Sequence, residues 1–161
     1  QMTESGKIAP EDMIRYICLR GRDNARTPMQ WDDGKNAGFT EGTPWIMVNP
    51  NYTRINAKQQ TADPDSVFHY YKKLIALRKE EPVIVYGSYE PYQQENESLY
   101  MYIRRLEDAK LFVVCNFTDQ EQTVALPEDF AEGSVLITNQ ENAGVQHEMT
   151  IGAYGAVVIR R

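Results

Sequence analysis

Apolar residues recur at helical spacing twice in the first half of the chain. A short helix is predicted over about residues 8–20, with Pro10 near its start, where the missing N–H costs nothing, and Gly21 at its end. Its predicted apolar stripe consists of Met13, Ile14, Ile17 and Cys18.

A second helix is predicted over about residues 64–80. Asp63 suits the N-cap and Pro64 the first helical position. Pro82 ends the helix, because the residue before a proline is pushed out of the helical region. The face predicted to be buried consists of Val67, Tyr70, Tyr71, Leu74 and Leu77.

From Val83 onward the pattern becomes that of β-structure, with short aromatic and β-branched runs separated by turn-forming residues. The predicted strands are Leu99–Leu106, Lys110–Phe117, Gln122–Leu126, Ser134–Thr138 and Ala153–Ile159. Their spacing of about 8–12 residues predicts an antiparallel sandwich. The tyrosines of this region are expected on a sheet face rather than in a sugar-binding cleft; they are Tyr86, Tyr89, Tyr92, Tyr100 and Tyr102.

Residues 21–62 show little periodicity and many Gly, Pro and Asn residues. Loops of this length inside a domain are usually functional or disordered, and the tryptophans argue against disorder. An ordered, functional loop is therefore predicted, with Trp45, Tyr52 and Phe39 in its interior.

Composition and charge exclude several classes of function. The chain has 23 acidic and 17 basic residues and a net charge of −6, which disfavours nucleic acid and anionic membrane surfaces as partners. No apolar run approaches a membrane span, and the N-terminal residues do not resemble a secretory signal but an interior stretch of a longer protein.

Cys18 and Cys115 are expected to be buried, reduced thiols of a cytoplasmic protein, and the distant His69 and His147 predict no zinc site.

The long loop holds the densest group of polar side chains in the chain. Beside Trp31 lie Arg22, Asp23, Asn24, Arg26, Gln30, Asp32 and Asp33. An aromatic ring with amides, carboxylates and guanidinium groups nearby is typical of sugar sites. The same residues equally predict an ion-pair latch that fastens a long loop to its scaffold, and both interpretations stay open.

The run from Arg22 to Asp32 (RDNARTPMQWD) closely resembles a signature of family 13 glycoside hydrolases. The resemblance is to the branch of oligo-1,6-glucosidases, dextran glucosidases and trehalose-6-phosphate hydrolases. Further similar segments are Asn36–Phe39, Pro44–Ile46, Val48–Tyr52 and Tyr70–Arg78. The similarity covers residues 8–126 well and the C-terminus more loosely.

The resemblance implies a mixed fold. Residues 1–82 would be the end of a (β/α)₈ barrel, comprising the eighth βα loop and the eighth helix, and residues 83–161 an antiparallel β-sandwich. Barrel active sites lie at the C-terminal ends of the strands, so this loop would lie at the mouth of the substrate pocket. The expected partners are an oligosaccharide bound by the parent enzyme, the N-terminal barrel of the same protein and, through exposed helix faces, further copies of the chain.

The catalytic residues of the family have no counterpart in this sequence. Retaining glycosidases need two carboxylates about 5–5.5 Å apart. The chain contains no Gly-x-Arg-x-Asp motif, and neither histidine is followed by Asp. The fragment alone is therefore expected to be inactive, without catalytic residues, cofactor or metal. It has no oxygen-ligand loop for the calcium ion that family members can bind.

By resemblance, Arg22 is expected to close the pocket by bonding the non-reducing-end glucose, and Arg26 is the second candidate for substrate binding. Residues expected to support the loop are Asp23, Asn24, Gln30, Trp31 and Asp32. The parent is thus expected to be an exo-acting, retaining α-glucosidase cleaving terminal α-1,6 or α-1,4 bonds. The alternatives are a structural or carbohydrate-binding β-sandwich module, and a transglycosylase or phosphorylated-disaccharide hydrolase on the same scaffold.

Overall fold

The computed structural model describes residues 4–141 and 143–161, without the side chain of Asn24. The chain divides into two compact units, one up to His69 and one comprising Tyr70–Arg161. The helices are α1 (Pro10–Arg20), α2 (Ala57–Ala62), α3 (Val67–Glu80) and α4 (Pro82–Tyr86). None of the helices within these described ranges has both the length and the apolarity of a membrane-spanning segment.

The predicted first helix is confirmed as α1, which Gly21 ends by donating its N–H to the Ile17 carbonyl at 2.7 Å. The loop that follows is ordered, as predicted, but it is not free of regular structure. Short 3₁₀ turns are present at Asp23–Ala25, Lys35–Gly38 and Pro50–Thr53. The helix α2 was missed because its six residues carry no apolar periodicity.

The second predicted helix, α3, begins three residues later than expected. Asp63 does not cap it, because its carboxylate accepts the Asp65 N–H at 2.9 Å in a turn of its own. Ser66 instead accepts the His69 N–H at 3.4 Å, the pattern of an N-cap. Pro82 follows the end of α3, as predicted, and opens the short helix α4.

The second unit contains most of α3, the helix α4 and an antiparallel β domain. Its strands are β1 (Glu90–Pro91), β2 (Leu99–Leu106), β3 (Ala109–Asn116), β4 (Gln122–Ala125), β5 (Ser134–Thr138), β6 (Glu148–Ile151) and β7 (Ala156–Arg160). Five of them form a sheet in the order β1-β2-β3-β7-β5, and β4 pairs with β6. The expected hairpin joins β2 to β3, with Glu107 at φ 51° in its turn. The predicted strand at 153–159 starts at Ala156, and β1 and β6 were not predicted.

The core of the β domain lies between the five-stranded sheet and the β4–β6 pair. Its buried residues are Leu99, Met101, Ile103, Phe112, Val114, Val124, Leu126, Phe130, Met149, Ile151, Val157 and Ile159. Asn116 closes one end of this core with its side-chain amide, which donates to the carbonyls of Ile151 at 3.1 Å and Gly152 at 2.9 Å. The core positions of β2 and β3 are mostly apolar, and the exception is the buried Asn116 at the end of β3. In β3 the four residues Leu111–Val114 are all buried, so this strand shows no alternation between a buried and an exposed face.

Several burial expectations outside this core are wrong. No residue of α1 or α3 is buried, and Val67, Tyr71 and Leu74 are exposed. Trp45, expected inside the loop, is 79 % exposed. Cys18 is an exposed free thiol and Cys115 a partly buried one. An amphipathic pattern predicts which face of a helix is apolar, but burial also requires a partner surface that covers this face. On the predicted face of α3, Tyr70 and Leu77 are half-buried and the other residues are exposed.

Candidate sugar-pocket loop

The arginine-rich segment forms one tight turn. The Ala25 N–H donates to the Arg22 carbonyl at 3.1 Å, and the Arg26 N–H donates to the Asp23 carbonyl at 3.0 Å. The side chains of Arg22, Asp23 and Arg26 are exposed and make no hydrogen bond or ion pair within the described part of the chain. These three residues therefore form no ion-pair latch there, and both guanidinium groups are available to a ligand or another protein segment. The predicted role of Asn24 rests on a side chain outside the described structure.

The segment that follows is fixed on one side by Gln30. Its side-chain amide donates to Asn51 Oδ1 at 3.0 Å and to the Ile55 carbonyl. Its own carbonyl accepts the Ala57 N–H at 2.8 Å, and the next carbonyl, of Trp31, accepts the Lys58 N–H at 3.0 Å. These bonds connect residues 30 and 31 to the beginning of α2. They are the contacts that a loop-supporting residue needs.

A left-handed turn fixes the segment on the other side. Asn36, Ala37 and Gly38 have φ values of 52°, 58° and 66°. The carbonyl of the fully buried Ala37 accepts the N–H of Trp31 at 2.8 Å and the N–H of Asp32 at 3.2 Å. Sequence reasoning missed this turn, although Asn and Gly are the residues that most readily adopt positive φ.

Asp32 is packed against this turn. Its Oδ1 accepts the Gly34 N–H at 2.8 Å. A Cβ added at Gly38 would lie 2.9 Å from both carboxylate oxygens of Asp32, so a larger residue would displace this carboxylate and would also be strained at φ 66°. The side-chain amide of Asn36 donates to the carbonyls of Thr40 and Gly42, which closes the turn from the far side. The Trp31 ring is half exposed above this framework and is free to contact a ligand.

A shallow cleft of about 370 Å³ lies beside this segment, within the first unit. Met29, Ile55 and Phe68 contribute apolar side chains to it, and Gln30 and Gln60 contribute amides. Its volume is within the range of small-molecule sites, but most of its lining is apolar. Arg22 and Arg26 are not among its lining residues.

The structure gives little support to a metal site, a cysteine nucleophile or a histidine base. Within the described ranges no three His, Cys, Asp or Glu residues are grouped as a metal site. Burial raises the pKa of the Cys115 thiol, which disfavours the thiolate that a nucleophile requires. His69 is occupied locally, with Nε2 at 3.1 Å from the Thr61 carbonyl and its ring edge-on to Phe68. The arrangement is that of a rigid loop presenting cationic and aromatic side chains.

Comparison with known families identifies the class of protein. Residues 1–87 match the family model described as the catalytic domain of α-amylase, and residues 99–158 match the C-terminal domain of the α-amylase SusG. The chain belongs to the α-amylase family, the family 13 glycoside hydrolases, as the resemblance implied. The predicted fold class, part of the catalytic domain followed by an antiparallel β domain, is confirmed. The boundary between residues 82 and 83 stays a prediction.

Within the family, the chain is similar to enzymes of oligosaccharide metabolism. It is 48% identical to the oligo-1,6-glucosidase of Bacillus cereus over 93% of its own length. The trehalose-6-phosphate hydrolase of Bacillus licheniformis superposes with a TM-score of 0.88 at 41% identity, covering 99% of this chain and 29% of that one. The isomaltulose synthase of Erwinia rhapontici superposes with a TM-score of 0.90 at 38% identity, with the same coverage.

The chain spans only 27% of the length of the Bacillus cereus relative. The matched relatives are thus more than three times longer than this sequence.

Proposed function

We propose that this chain is the C-terminal part of an exo-acting, retaining α-glucosidase that acts on terminal α-1,6 or α-1,4 bonds of short oligosaccharides. In this proposal the turn at Arg22–Arg26 contributes one wall of the sugar pocket. The observation that carries the proposal is two guanidinium groups, of Arg22 and Arg26, that have no hydrogen bond or ion pair with the described residues. They lie next to a segment fixed on both sides by hydrogen bonds. The similarity to oligo-1,6-glucosidases supports the choice of reaction.

The chemistry of Arg22 suits the task of closing a pocket behind one glucose unit. Its planar guanidinium group can donate to a carboxylate and to sugar hydroxyls at the same time. Fixing residues 30–38 beforehand reduces the entropy lost when substrate binds, and positioning of this kind lowers the barrier of the chemical step. The two carboxylates needed for retention would come from residues outside this chain.

The first test is hydrolysis of an aryl α-glucoside by the purified 161-residue chain and by the full-length enzyme that contains it. We expect release of the aryl group by the full-length enzyme alone, because the chain carries no candidate pair of catalytic carboxylates. Activity of the isolated chain would mean that a catalytic pair lies within these residues, and the proposed roles would be wrong.

The second test is Arg22→Lys in the full-length enzyme. Lysine keeps the charge but loses the planar fork, so kcat/KM is expected to fall about 10–100-fold, that is by about 1.4–2.7 kcal/mol. The matched control is Arg54→Lys, an exposed arginine of the same loop without a side-chain bond in the described structure. Equal kinetics for the two variants would contradict a substrate role for Arg22.

The similarity to an isomaltulose synthase and to trehalose-6-phosphate hydrolases supports a second candidate on the same scaffold, namely transglycosylation or hydrolysis of a phosphorylated disaccharide. Product analysis separates the two. Glucose released from isomaltose supports the α-glucosidase, whereas an isomerised disaccharide or a sugar phosphate supports the alternative.

We also propose a cytoplasmic location for this enzyme. The support is chemical: Cys18 is an exposed free thiol, and Cys115 is also unpaired. Such thiols persist in reducing compartments, whereas oxidising ones favour disulfides. Fractionation of the source cells, with thiol labelling of the full-length enzyme, tests this proposal.

A further inference from the structure

The β domain contains a second cleft, of about 390 Å³, at the edge of the five-stranded sheet. It is lined by residues between Tyr89 and Met101, except Glu90 and Glu95, together with Phe117. Three of its aromatic rings are open to solvent: Tyr89 is 50 % exposed, Tyr100 49 % and Phe117 72 %. The tyrosines were expected on a sheet face rather than in a sugar-binding cleft. Tyr100 lies in β2, and together with Tyr89 and Tyr92 it also lines this cleft.

The tyrosine rings of this cleft are held in place before any ligand arrives. The hydroxyls of Tyr89 and Tyr100 lie 3.0 Å apart and share a hydrogen bond. Tyr92 packs edge-on against the buried Phe112, with ring centroids 5.4 Å apart. Rings fixed in this way lose little conformational entropy on binding, which favours even a weak ligand.

The rim of the cleft is a tight turn with free polar groups. Asn96 Oδ1 accepts the N–H groups of Ser98 at 2.9 Å and Leu99 at 2.8 Å, which fixes the turn. The side chains of Gln93, Gln94 and Glu97 also line the cleft, and none of them makes a hydrogen bond within the described residues. The amide groups of Gln93 and Gln94 and the carboxylate of Glu97 are therefore available to hydrogen-bond a ligand in the cleft.

The charge of the lining restricts the class of ligand. Glu97 is the ionisable carboxylate among the lining residues, and no lysine or arginine is one of them. A phosphate or carboxylate ligand would be repelled and would find no cation to bond. A neutral molecule with apolar faces and many hydroxyls fits both the rings and the amides, because each hydroxyl can donate and accept.

We propose that this cleft binds a neutral glucose oligomer. The apolar faces of the sugar rings pack on Tyr100 and Phe117, and the hydroxyls bond Gln93, Gln94 and Glu97. The choice of glucose among neutral sugars rests on the proposed function. The site is separate from the arginine turn of the loop, so it would retain the enzyme near its substrate rather than take part in the reaction.

The test is a titration of isomaltotriose and maltotriose followed by two-dimensional NMR of the labelled 161-residue chain. It is repeated by calorimetry on the full-length enzyme with a catalytic carboxylate, outside this chain, replaced so that the sugars are not hydrolysed. Chemical-shift changes are expected at residues 89–101 and 117, with a Kd of about 1 mM. Phe117→Ala and Tyr100→Ala are expected to weaken binding about tenfold. Tyr86→Ala is the matched control, since Tyr86 is also exposed and does not line the cleft, and its Kd should equal that of the unaltered chain.

If Tyr100→Ala does not fold, Tyr100→Phe is the variant to measure, because it keeps the aromatic ring that packs in the folded protein. It retains the ring and loses only the bond to Tyr89, so its Kd is expected to stay within about threefold of the unaltered value.

Three results would overturn the proposal: no saturable shifts at high millimolar sugar, shifts that the substitutions leave unchanged, or binding to the isolated chain that is absent from the full-length enzyme. The last would mean that another protein segment covers the cleft.

Hydrolysis of an aryl α-glucoside by the full-length enzyme is measured separately. Hydrolysis by the unaltered enzyme without any sugar binding at this cleft would reject the cleft alone, whereas binding at the cleft without hydrolysis would reject the proposed function alone.

Discussion

The left-handed turn at Asn36–Gly38 is the most demanding conformation in the loop. Gly38 adopts φ 66° without cost, and asparagine tolerates positive φ, but Ala37 at φ 58° is strained by about 1–2 kcal/mol. Its carbonyl compensates by accepting two N–H groups, and its side chain is fully buried. Strain of this kind persists where the surroundings impose it, which is typical of functional loops.

Gly38→Ala is therefore expected to destabilise the loop by about 1–3 kcal/mol, because the new Cβ would contact the Asp32 carboxylate at an unfavourable φ. Both tryptophans, Trp31 and Trp45, lie in this loop, so urea unfolding followed by tryptophan fluorescence reports on it. Gly42→Ala is the control, since its Cβ would meet only Thr40 Oγ1, at 3.7 Å. Equal unfolding midpoints for the two variants would contradict the role assigned to the turn.

At the scale of elements, ion pairs fasten the 3₁₀ turn at Glu128–Phe130 to the sheet. Asp129 accepts from Arg105 at 2.7 Å and from Lys110 at 3.1 Å, and these two residues lie in β2 and β3. Phe130, next to Asp129, is fully buried against Phe112. The exposed pairs thus hold the backbone that places an aromatic ring in the core.

These pairs predict a pH dependence. The hydrogen bond from Arg105, and then that from Lys110, lower the pKa of Asp129 below its usual value. The stabilisation is complete above about pH 5 and is lost as the pH falls below about 3.9, the ordinary value for Asp, towards the lowered pKa of the folded state. Between pH 6 and 3, the melting temperature of Asp129→Asn is expected to fall less than that of the unaltered chain.

The expected difference in melting temperature is small, because the ion pairs of Asp129 with Arg105 and Lys110 are exposed to solvent and are screened by salt. The control is Glu128→Gln, which changes a neighbouring carboxylate without an ion pair in the described structure. If Glu128→Gln reduces the fall in melting temperature between pH 6 and 3 as much as Asp129→Asn does, this pH dependence arises from general charge repulsion and not from the ion pairs of Asp129.

The elements also show where sequence patterns reach their limit. The strand β2 and the hairpin to β3 were predicted well, because two eight-residue strands rich in aromatic and β-branched residues flank a compact turn. The strands β1 and β6 have two and four residues, too few for a period of two to be distinguished from a loop. The start of α3 was misplaced because Asp63 and Ser66 are both good caps, and local hydrogen bonding selected Ser66.

At the scale of the whole molecule, much apolar surface of the first unit is open to solvent. Ile14, Ile17 and Leu19 are exposed on α1, and Trp45 and Met47 are exposed in the loop. Monomeric proteins rarely expose large contiguous apolar patches, and the matched relatives contain much additional chain. We propose that these residues form the docking surface for the N-terminal barrel of the parent enzyme.

The isolated chain is accordingly expected to self-associate through this surface. Sedimentation velocity over a hundredfold concentration range should show oligomers, and Ile17→Lys should raise the midpoint concentration about tenfold. Tyr154→Lys adds the same charge in place of an exposed ring of the β domain and should leave the midpoint unchanged. A chain that is monomeric throughout the range would contradict this expectation.

The sequence by itself determined the family, through the run Arg22–Asp32, and the elements whose periodicity extends over many residues, namely α1, most of α3, β2 and β3. Such features depend on residues that are close together in sequence, so they can be predicted from short stretches of the chain. Tertiary structure decided the bonds of Gln30 to residues 51 and 55, the left-handed turn over Asp32, and the aromatic cleft of the β domain. These features join residues distant in sequence, or impose a strained backbone through packing, and no local pattern encodes them.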